Sequence, residues 1–547
     1  MSLGNRNSQH SFAQIPNVNI QRSTFNRSFA AKDTIDFDYL NPCFVDEILP
    51  GDTVNLNVKS FVRLAPQVVP LLDNMYMDFH FFFVPSRLIW EHWEQFNGAQ
   101  FNPGDSTDYL IPTVSPAPGS AFDVGSIYDK MGIPTGVNDV EINSLPLRAY
   151  NLIFNEWYRD QNMVNSITEE YDDGPDNPNS FQLRKRGKRH DYFASALPWP
   201  QKGQAVMLPL GTEAPLQGVV TFTGPSNGGF VPLATNPGGV TQNWVTSTPG
   251  TNTVVSPGAT PGTQINPVIG TNAYNFTFDL SNEPVYADLT DATAATINQF
   301  RQAIMMQSFL ELDARGGTRY VEILRAHFNV TSPDFRLQRP EFLSGGTIKI
   351  QQHVVAQTSE GTDGNPLGKL AAFSTANASH ANIGFSKSFV EHGYVLGIVS
   401  ARGDITYQQG LNRMWNRRTR EDFFWPKFQE LGEQAILNKE IYYQNTSADD
   451  EVFGYQERYA EYRYMPSQIR GQFRSTFAQT LDVWHLAQEF ANLPALNATF
   501  IESSTPIERS LVVPDDNYPH LLCDWWFEYR HARPMMTYGV PATLGRF

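Results

Sequence analysis

The sequence has little cysteine, an excess of acidic over basic residues, and no long apolar run. Cys43 and Cys523 are the only cysteines in 547 residues, too few for a disulfide framework and without the spacing of a zinc or redox site. Apolar stretches such as 81–84 fall far short of the roughly 20 residues that span a bilayer, and residues 1–30 have no signal-peptide core. We therefore expect two buried free thiols, no membrane insertion, and a protein made and kept in the cytosol.

The acidic excess restricts how the protein can meet a polyanion. With 40 Lys and Arg against 56 Asp and Glu, the formal net charge is −16, so nucleic acid should be repelled at long range. Any contact with nucleic acid must therefore be local.

Two local groups of cations are candidates for such a contact. The first contains Arg184, Lys185, Arg186, Lys188 and Arg189, and the second contains Arg413, Arg417, Arg418 and Arg420 beside Trp415, Phe423, Phe424 and Trp425. Cations interleaved with aromatic rings suit single-stranded nucleic acid, because phosphates meet the charges while bases stack on the rings. The first group could equally be a solvated turn. The second could be an interface that pairs arginines with neighbouring carboxylates.

Sequence signatures of catalysis are missing. The chain has no GxxxxGK[ST], GxSxG or HExxH motif, and its histidines occur singly, as at His80, His327, His353 and His485. Carboxylate clusters such as 449–451 are typical of solvated turns. The prediction is no catalytic residue, no cofactor and no metal site.

Alternating apolar residues predict β-strands over much of the chain. Val54, Leu56 and Val58 alternate with polar residues, and the same period of two appears in 75–83 and 521–529. The 39 Gly and 37 Pro residues favour turns and long loops over a helical bundle. We predict a mainly β fold: a single eight-stranded antiparallel jelly-roll β-sandwich with large loop insertions containing a few helices.

Helical spacing appears in a few places between these strands. Ser86 can cap a helix that follows the strand ended by Pro85. Further helices are predicted around 150–158, from a cap at Asp291 to the Gly316–Gly317 stop, and over 321–328.

Composition divides the chain into four segments. Residues 1–40 are predicted to be an N-terminal arm, 41–202 the first jelly-roll strands with a helical insertion, and 286–547 helices, the remaining strands and the C-terminal tail. Between them, 203–285 includes a stretch, 211–275, whose only charge is Glu213. Short apolar groups recur there between turn residues, which predicts an exposed β-rich insertion.

Long ordered blocks of the sequence resemble the major capsid proteins of gokushoviruses, a branch of the microvirus family of small icosahedral single-stranded-DNA phages. The matching blocks are FNRSF (25–29), FFFVPSRLIWEHWEQF (81–96), YADLTDATAATINQFRQA (286–303), DARGGTRYVEILRAHFNVTSPDFRLQRPEFLSGG (313–346), GYQERYAEYRYMPSQIRGQFRS (454–475), LDVWHLAQEF (481–490) and RPMMTYGVP (533–541).

This resemblance implies a structural protein rather than an enzyme. It implies self-assembly into a T=1 icosahedral shell around a circular single-stranded DNA genome, with 203–285 as a surface protrusion at the threefold axis that contacts a host receptor. An internal scaffolding protein and a DNA pilot protein are implied partners. The expected location is the virion, with assembly in the host bacterial cytoplasm.

One alternative from another class remains open on residues alone. The many aromatic residues and scattered carboxylates would also suit a β-sandwich carbohydrate-active enzyme or a glycan-binding protein.

Overall fold

The computed structural model describes residues 21–207, 297–356, 370–377, 383–512 and 518–538, together with short strands between 216 and 287. Two compact units are distinguished: residues 1–202 with 311–547 form one, and residues 203–310 form the other. The strands are β1 (Ser23–Asn26), β2 (Phe29–Ile35), β3 (Asn41–Ile48), β4 (Thr53–Leu64), β5 (Met75–Pro85), β6 (Thr113–Val114), β7 (Ile142–Asn143), β8 (Leu216–Gln217), β9 (Trp244–Thr248), β10 (Thr251–Val255), β11 (Tyr286–Ala287), β12 (Glu341–Ala356), β13 (Leu370–Asn377), β14 (Ile383–Ser388), β15 (Gly393–Gly403), β16 (Glu433–Leu437), β17 (Val452–Glu457) and β18 (Leu521–Arg533).

Helices are few and mostly short. They are α1 (Trp93–Phe96), α2 (Ile127–Lys130), α3 (Leu145–Ile153), α4 (Ile297–Gly316), α5 (Tyr320–Phe328), α6 (Asn438–Ile441) and α7 (Ala498–Ile501). A π-helical turn, Phe154–Tyr158, continues α3. The predicted helices at 150–158 and 321–328 and the stop at Gly316 are confirmed.

One curled antiparallel sheet organises the larger unit. Among the described residues it contains ten strands in the order β1-β18-β4-β13-β12-β5-β15-β3, with β14 also on β4 and β2 also on β18. The long strand β12 passes from one half of the sheet to the other, because its first part pairs with β5 and its last part with β13. The mainly β jelly-roll prediction is confirmed. Two strands more than the predicted eight are present because the N-terminal segment contributes β1 and β2.

The core lies inside this curl, and strand alternation fills it. Every second residue of β18 from Leu521 to Tyr529 is buried, and β4 alternates in the same way. Phe79 of β5 meets Trp525 edge to face, with ring centroids 5.5 Å apart. Such aromatic pairs stabilise a core beyond the area they bury.

A second core covers the outer face of β5 and β15. Phe82, Val84 and Leu396 point away from the first core and pack with α3 and the loops around it. On the opposite face of β15, toward the first core, two glycines allow a close approach, since a Cβ at Gly393 would lie 2.4 Å from the Val84 carbonyl oxygen and one at Gly397 would lie 2.7 Å from the Phe81 ring.

Two local predictions are wrong. The segment after Pro85 is not one helix capped by Ser86: a 3-10 turn at Ser86–Leu88 and the four-residue α1 take its place, and Pro85 occupies the cap position without a side-chain hydrogen bond. Cys43 is only partly buried, although Cys523 is buried and both thiols are free.

The predicted cap Asp291 and most of the predicted insertion 211–275 lie outside the described residues. Within that stretch, β9 and β10 form an antiparallel hairpin.

A buried polar cluster holds the end of β18 against neighbouring strands. The His531 ring is fully buried, with Nε2 2.7 Å from Asp52 Oδ2 and Nδ1 2.8 Å from the Tyr529 hydroxyl. Arg533 Nε lies 3.1 Å from the same Asp52 oxygen. Because such a network is satisfied only when all strands are in place, it favours one register.

The same cluster also fastens the N-terminal segment. Arg27, between β1 and β2, forms an ion pair with Asp46 of β3, and its guanidinium lies 5.2 Å from the Tyr529 ring centroid. Phe29 stacks on Phe527 at 4.9 Å. Residues 23–35 are therefore part of this chain's own sheet.

The buried histidine makes stability depend on pH. Burial and Arg533 lower the pKa of His531 below its usual 6.5, although Asp52 acts against them, so the native ring binds fewer protons than the unfolded one. We expect the free energy of unfolding to fall as pH drops below about 6.5, and His531→Gln to flatten that part of the profile. Urea unfolding of unassembled protein from pH 5 to 8 checks this. The exposed His353→Gln is the control, and a profile unchanged in His531→Gln contradicts the prediction.

Candidate nucleic-acid interface

The first basic group lies in an extended segment that is hydrogen-bonded on both sides. The Arg186 N–H donates to the Asp38 carbonyl oxygen at 2.8 Å, and the Lys188 N–H donates to the Ile501 carbonyl oxygen at 2.8 Å. The segment is therefore built into the fold and is not a solvated turn.

Arg186 forms an ion pair with a buried carboxylate of its own subunit. Its Nη1 lies 2.8 Å from Asp78 Oδ2, the same oxygen that Arg402 Nε approaches at 2.8 Å, and the Thr347 hydroxyl donates to the other oxygen at 2.6 Å. Burial alone would raise the pKa of Asp78, but these three hydrogen bonds outweigh it and lower the pKa to about 2. The carboxylate thus stays ionised and holds both arginines at the sheet.

Lys188 is also withdrawn from solvent. It is 9% exposed, its Nζ donates to Gln488 Oε1 at 3.0 Å, and it lies 3.9 Å from the Phe500 ring centroid. Burial lowers its pKa to about 8, with Asp191 and Asp38 acting against that shift. Its ammonium group is thus engaged by Gln488 and by the Phe500 ring within the subunit.

The other three cations of the group are more accessible. Arg189 is exposed, and Arg184 and Lys185 are half-buried. The Lys185 ammonium lies 5.5 Å from the Tyr39 ring centroid. In the described ranges none of the three forms an ion pair with a carboxylate.

The second group likewise contains arginines that pair with carboxylates and arginines that are exposed. Arg413 contacts Glu440 at 3.0 Å, and Arg417 contacts Glu461 at 3.2 Å while covering the Tyr462 ring at 4.1 Å. Burial raises the pKa of Glu440, and Arg413 partly offsets this. These two arginines pair with carboxylates of their own subunit, so their pairing does not require an interface with another subunit.

The loop that follows presents rings and cations to solvent. Arg418 and Arg420 are exposed, and Arg420 lies 4.5 Å from the Trp425 ring centroid. Asp422 accepts the N–H groups of Arg418 and Thr419 at 2.8 and 2.7 Å, which orders the turn. The exposed large apolar residues of this loop are Met414, Trp415, Phe423, Phe424 and Trp425.

A cavity of about 410 Å³ lies beside the second group, with Arg413 and Trp415 in its wall. Tyr192, just after the first group, donates its hydroxyl to Glu440 at 3.1 Å, and Glu440 in turn holds Arg413. The walls also include Tyr464, Gln468, Arg470 and Arg474. The fold thus links the second group to Tyr192, which follows the first group in the sequence, while the described cavity wall contains no cation of the first group.

Sequence reasoning missed part of this wall. Tyr464, Arg470 and Arg474 belong to the segment 454–475, which entered the argument only through the family resemblance. Its alternation of aromatic residues with arginines is the same signal that identified the second group, and it could have found them.

The described ranges contain neither a metal-binding cluster nor a membrane-spanning helix. There, no three His, Cys, Asp or Glu side chains gather so that they could hold a metal ion. No helix in those ranges is long and apolar enough to cross a membrane.

Comparison with known proteins decides the family. The profile of the family described as "Capsid protein (F protein)" matches residues 13–543. The chain belongs to this family. Curated relatives of the capsid family include three proteins named capsid protein VP1: one from Bdellovibrio phage phiMH2K, 61% identical with both chains fully covered, one from Chlamydia phage 1, 41% identical with 97% of each covered, and one from Spiroplasma virus 4, 32% identical with 97% of each covered.

These comparisons confirm the resemblance to gokushovirus capsid proteins. Family membership makes the chain a structural protein that self-assembles into a capsid and resides in the virion. It also rejects the carbohydrate-active enzyme as an alternative.

The geometry predicts that two arginines three residues apart differ in how much they contribute to the free energy of unfolding. Arg186→Gln removes a hydrogen bond to the buried Asp78 carboxylate, so we expect a loss of about 2 kcal/mol in the free energy of unfolding. The exposed Arg189→Gln should change it by less than about 0.5 kcal/mol. Urea unfolding of the two unassembled variants measures both values, and equal effects would refute the division between structural and accessible cations.

Proposed function

We propose that the protein forms a T=1 icosahedral shell that encloses a circular single-stranded DNA genome. The observation that carries the proposal is the capsid-family match over residues 13–543, supported by the jelly-roll sheet and by the gokushovirus relatives. An internal scaffolding protein and a DNA pilot protein are the partners that the gokushovirus resemblance supports. Assembly takes place in the cytoplasm of a bacterial host.

Within this shell, accessible cations and rings hold the DNA. The candidates remain Arg184, Lys185, Arg186, Lys188, Arg189, Arg417 and Arg418. Burial and pairing favour Arg189 and Arg418 as direct phosphate contacts, with Arg184 and Lys185 as further contacts in the same basic run as Arg189. Arg186, Lys188 and Arg417 act by shaping the surface that presents the others.

The rings near these cations suit unstacked bases. Trp415 is 71% exposed and borders the 410 Å³ cavity, which is large enough for a base with its sugar. Stacking and charge read ring faces and the backbone rather than base edges, so this contact tolerates any sequence.

The segment 203–285 is proposed to be the threefold protrusion that contacts the host receptor. Its low charge is the supporting feature, because Thr, Asn and Gly side chains and backbone can hydrogen-bond to a glycan without ionic steering. The names of the three relatives point to phages or viruses of Bdellovibrio, Chlamydia and Spiroplasma, which supports a bacterial host.

Assembly is tested by imaging. Protein expressed with its scaffolding partner should form uniform closed particles with one copy per icosahedral asymmetric unit, visible by electron cryomicroscopy. Larger shells with several copies per asymmetric unit, or monomers only, would overturn the T=1 assignment.

DNA contact is tested by removing the two exposed charges together. Arg189→Gln with Arg418→Gln should leave the thermal transition of the subunit unchanged and weaken its binding to a poly-dT oligonucleotide. Each lost phosphate contact should flatten the slope of log affinity against log salt by about 0.7.

The matched control replaces two exposed cations elsewhere, Lys32→Gln and Lys349→Gln. If the control flattens the salt slope as much as the double variant does, the contact is a property of net charge and not of this interface.

A further inference from the structure

Helix α4 presents large apolar side chains to solvent along most of its length. Of its 20 residues Ala314 is the buried one. Exposed fractions are 75% for Ile297, 49% for Phe300, 48% for Ile304, 70% for Met305, 48% for Met306 and 41% for Leu312.

These side chains do not form the single stripe of a surface helix. At 100° per residue, Ile297, Phe300 and Ile304 share one side of the helix, while Met306 lies on the opposite side and Met305 between them. From residue 297 to 310 Arg301 is the only charged residue. A helix that is apolar on several sides is typical of a buried position.

The C-terminal turn of α4, in contrast, is well fastened. Arg315 Nε donates to Glu433 Oε1 at 2.8 Å, and the Asp313 carboxylate lies 2.8 Å from the His327 ring. A Cβ on Gly316 would come within 2.5 Å of the Ala326 Cβ, so α5 crosses very closely at this point. The apolar part of α4 is thus the continuation of an ordered element.

The exposed apolar area of α4 is at the upper limit of what a soluble monomer usually presents. Six side chains, each exposing roughly 100 Å², present on the order of 600 Å², the upper end of the largest patch on a typical soluble monomer. One partner in a stable interface contributes about 800 Å². The summed apolar area of the helix is thus close to what one partner contributes, although it is spread over more than one side of the helix.

We propose that α4 packs against a second copy of this chain in the assembled capsid. The inference rests on the proposed shell, whose closure requires each subunit to bury apolar surface against other copies. Phe and Met are enriched at the centre of such interfaces, and flexible Met305 and Met306 can adapt to the surface they meet. Repeated around a closed shell, a modest contact of this kind holds every subunit.

The first experiment changes the surface of α4 without touching its fastened end. Ile304→Gln with Met305→Gln should leave the circular dichroism and the thermal transition of the unassembled subunit unchanged, and reduce the yield of sedimenting particles at least tenfold. The control is Val390→Gln, at a position that is 87% exposed, and should assemble as the parent does.

The outcomes separate this inference from the proposed function. If the parent chain forms no particles, the shell itself is refuted. If the parent assembles and the α4 double variant also assembles at normal yield, only the α4 interface is overturned.

The second experiment identifies what covers the helix. Phe300→benzoylphenylalanine, irradiated in assembled particles, should give a band at about twice the 61.6 kDa mass of the chain, with peptide mapping showing a link between two copies. Links only within one chain, links only to another protein, or no link at all would overturn the proposal.

Discussion

Pairing between β4 and β18 is the interaction on which the rest of this structure depends. Twelve residues of each strand are in register, from Leu64 with Leu521 to Thr53 with Ala532. This pairing joins the first long strand of the chain to the last, and it turns the alternating apolar residues of both strands toward β5. Nearly the whole chain lies between the two partners, so every insertion must leave the sheet and return to it without disturbing their register.

The same pairing explains how residues 23–35 are held on the sheet. Strands β1 and β2 add to the free edge of β18, and the buried cluster around His531 and Asp52 links that edge to β3 and β4. A jelly roll that must dock many copies of itself benefits from this arrangement, because a frayed edge strand is a ready template for incorrect pairing.

Charge in this protein is divided between two roles. The chain carries a net charge of −16, and most of its described carboxylates are at least partly exposed. A few, such as Asp78 and Glu461, are withdrawn from solvent and position arginines. Removing an arginine that pairs with one of these withdrawn carboxylates lowers the stability of the fold. An exposed arginine such as Arg418 is instead available to bind a partner. A count of basic residues therefore overstates the surface available to DNA.

The sequence by itself determined β4, β5 and β18, because an alternation of apolar and polar residues has one stable arrangement on a half-buried sheet. It also predicted α3, α5 and the end of α4, whose apolar spacing and glycine stop are local signals, and the long ordered motifs identified the family. The single helix predicted after Pro85 is wrong because it is interrupted between Leu88 and Trp93, where Ile89 and Trp90 are buried in the second core.

Tertiary structure alone decided which cations are accessible. Arg186 and Arg189 look equivalent in the sequence, since both belong to one basic run. They differ because the segment lies between Asp38 and Ile501, which turns Arg186 toward the carboxylate of Asp78 from β5. A residue's partner across the fold depends on strand register and layer packing over hundreds of residues, and no local pattern records it.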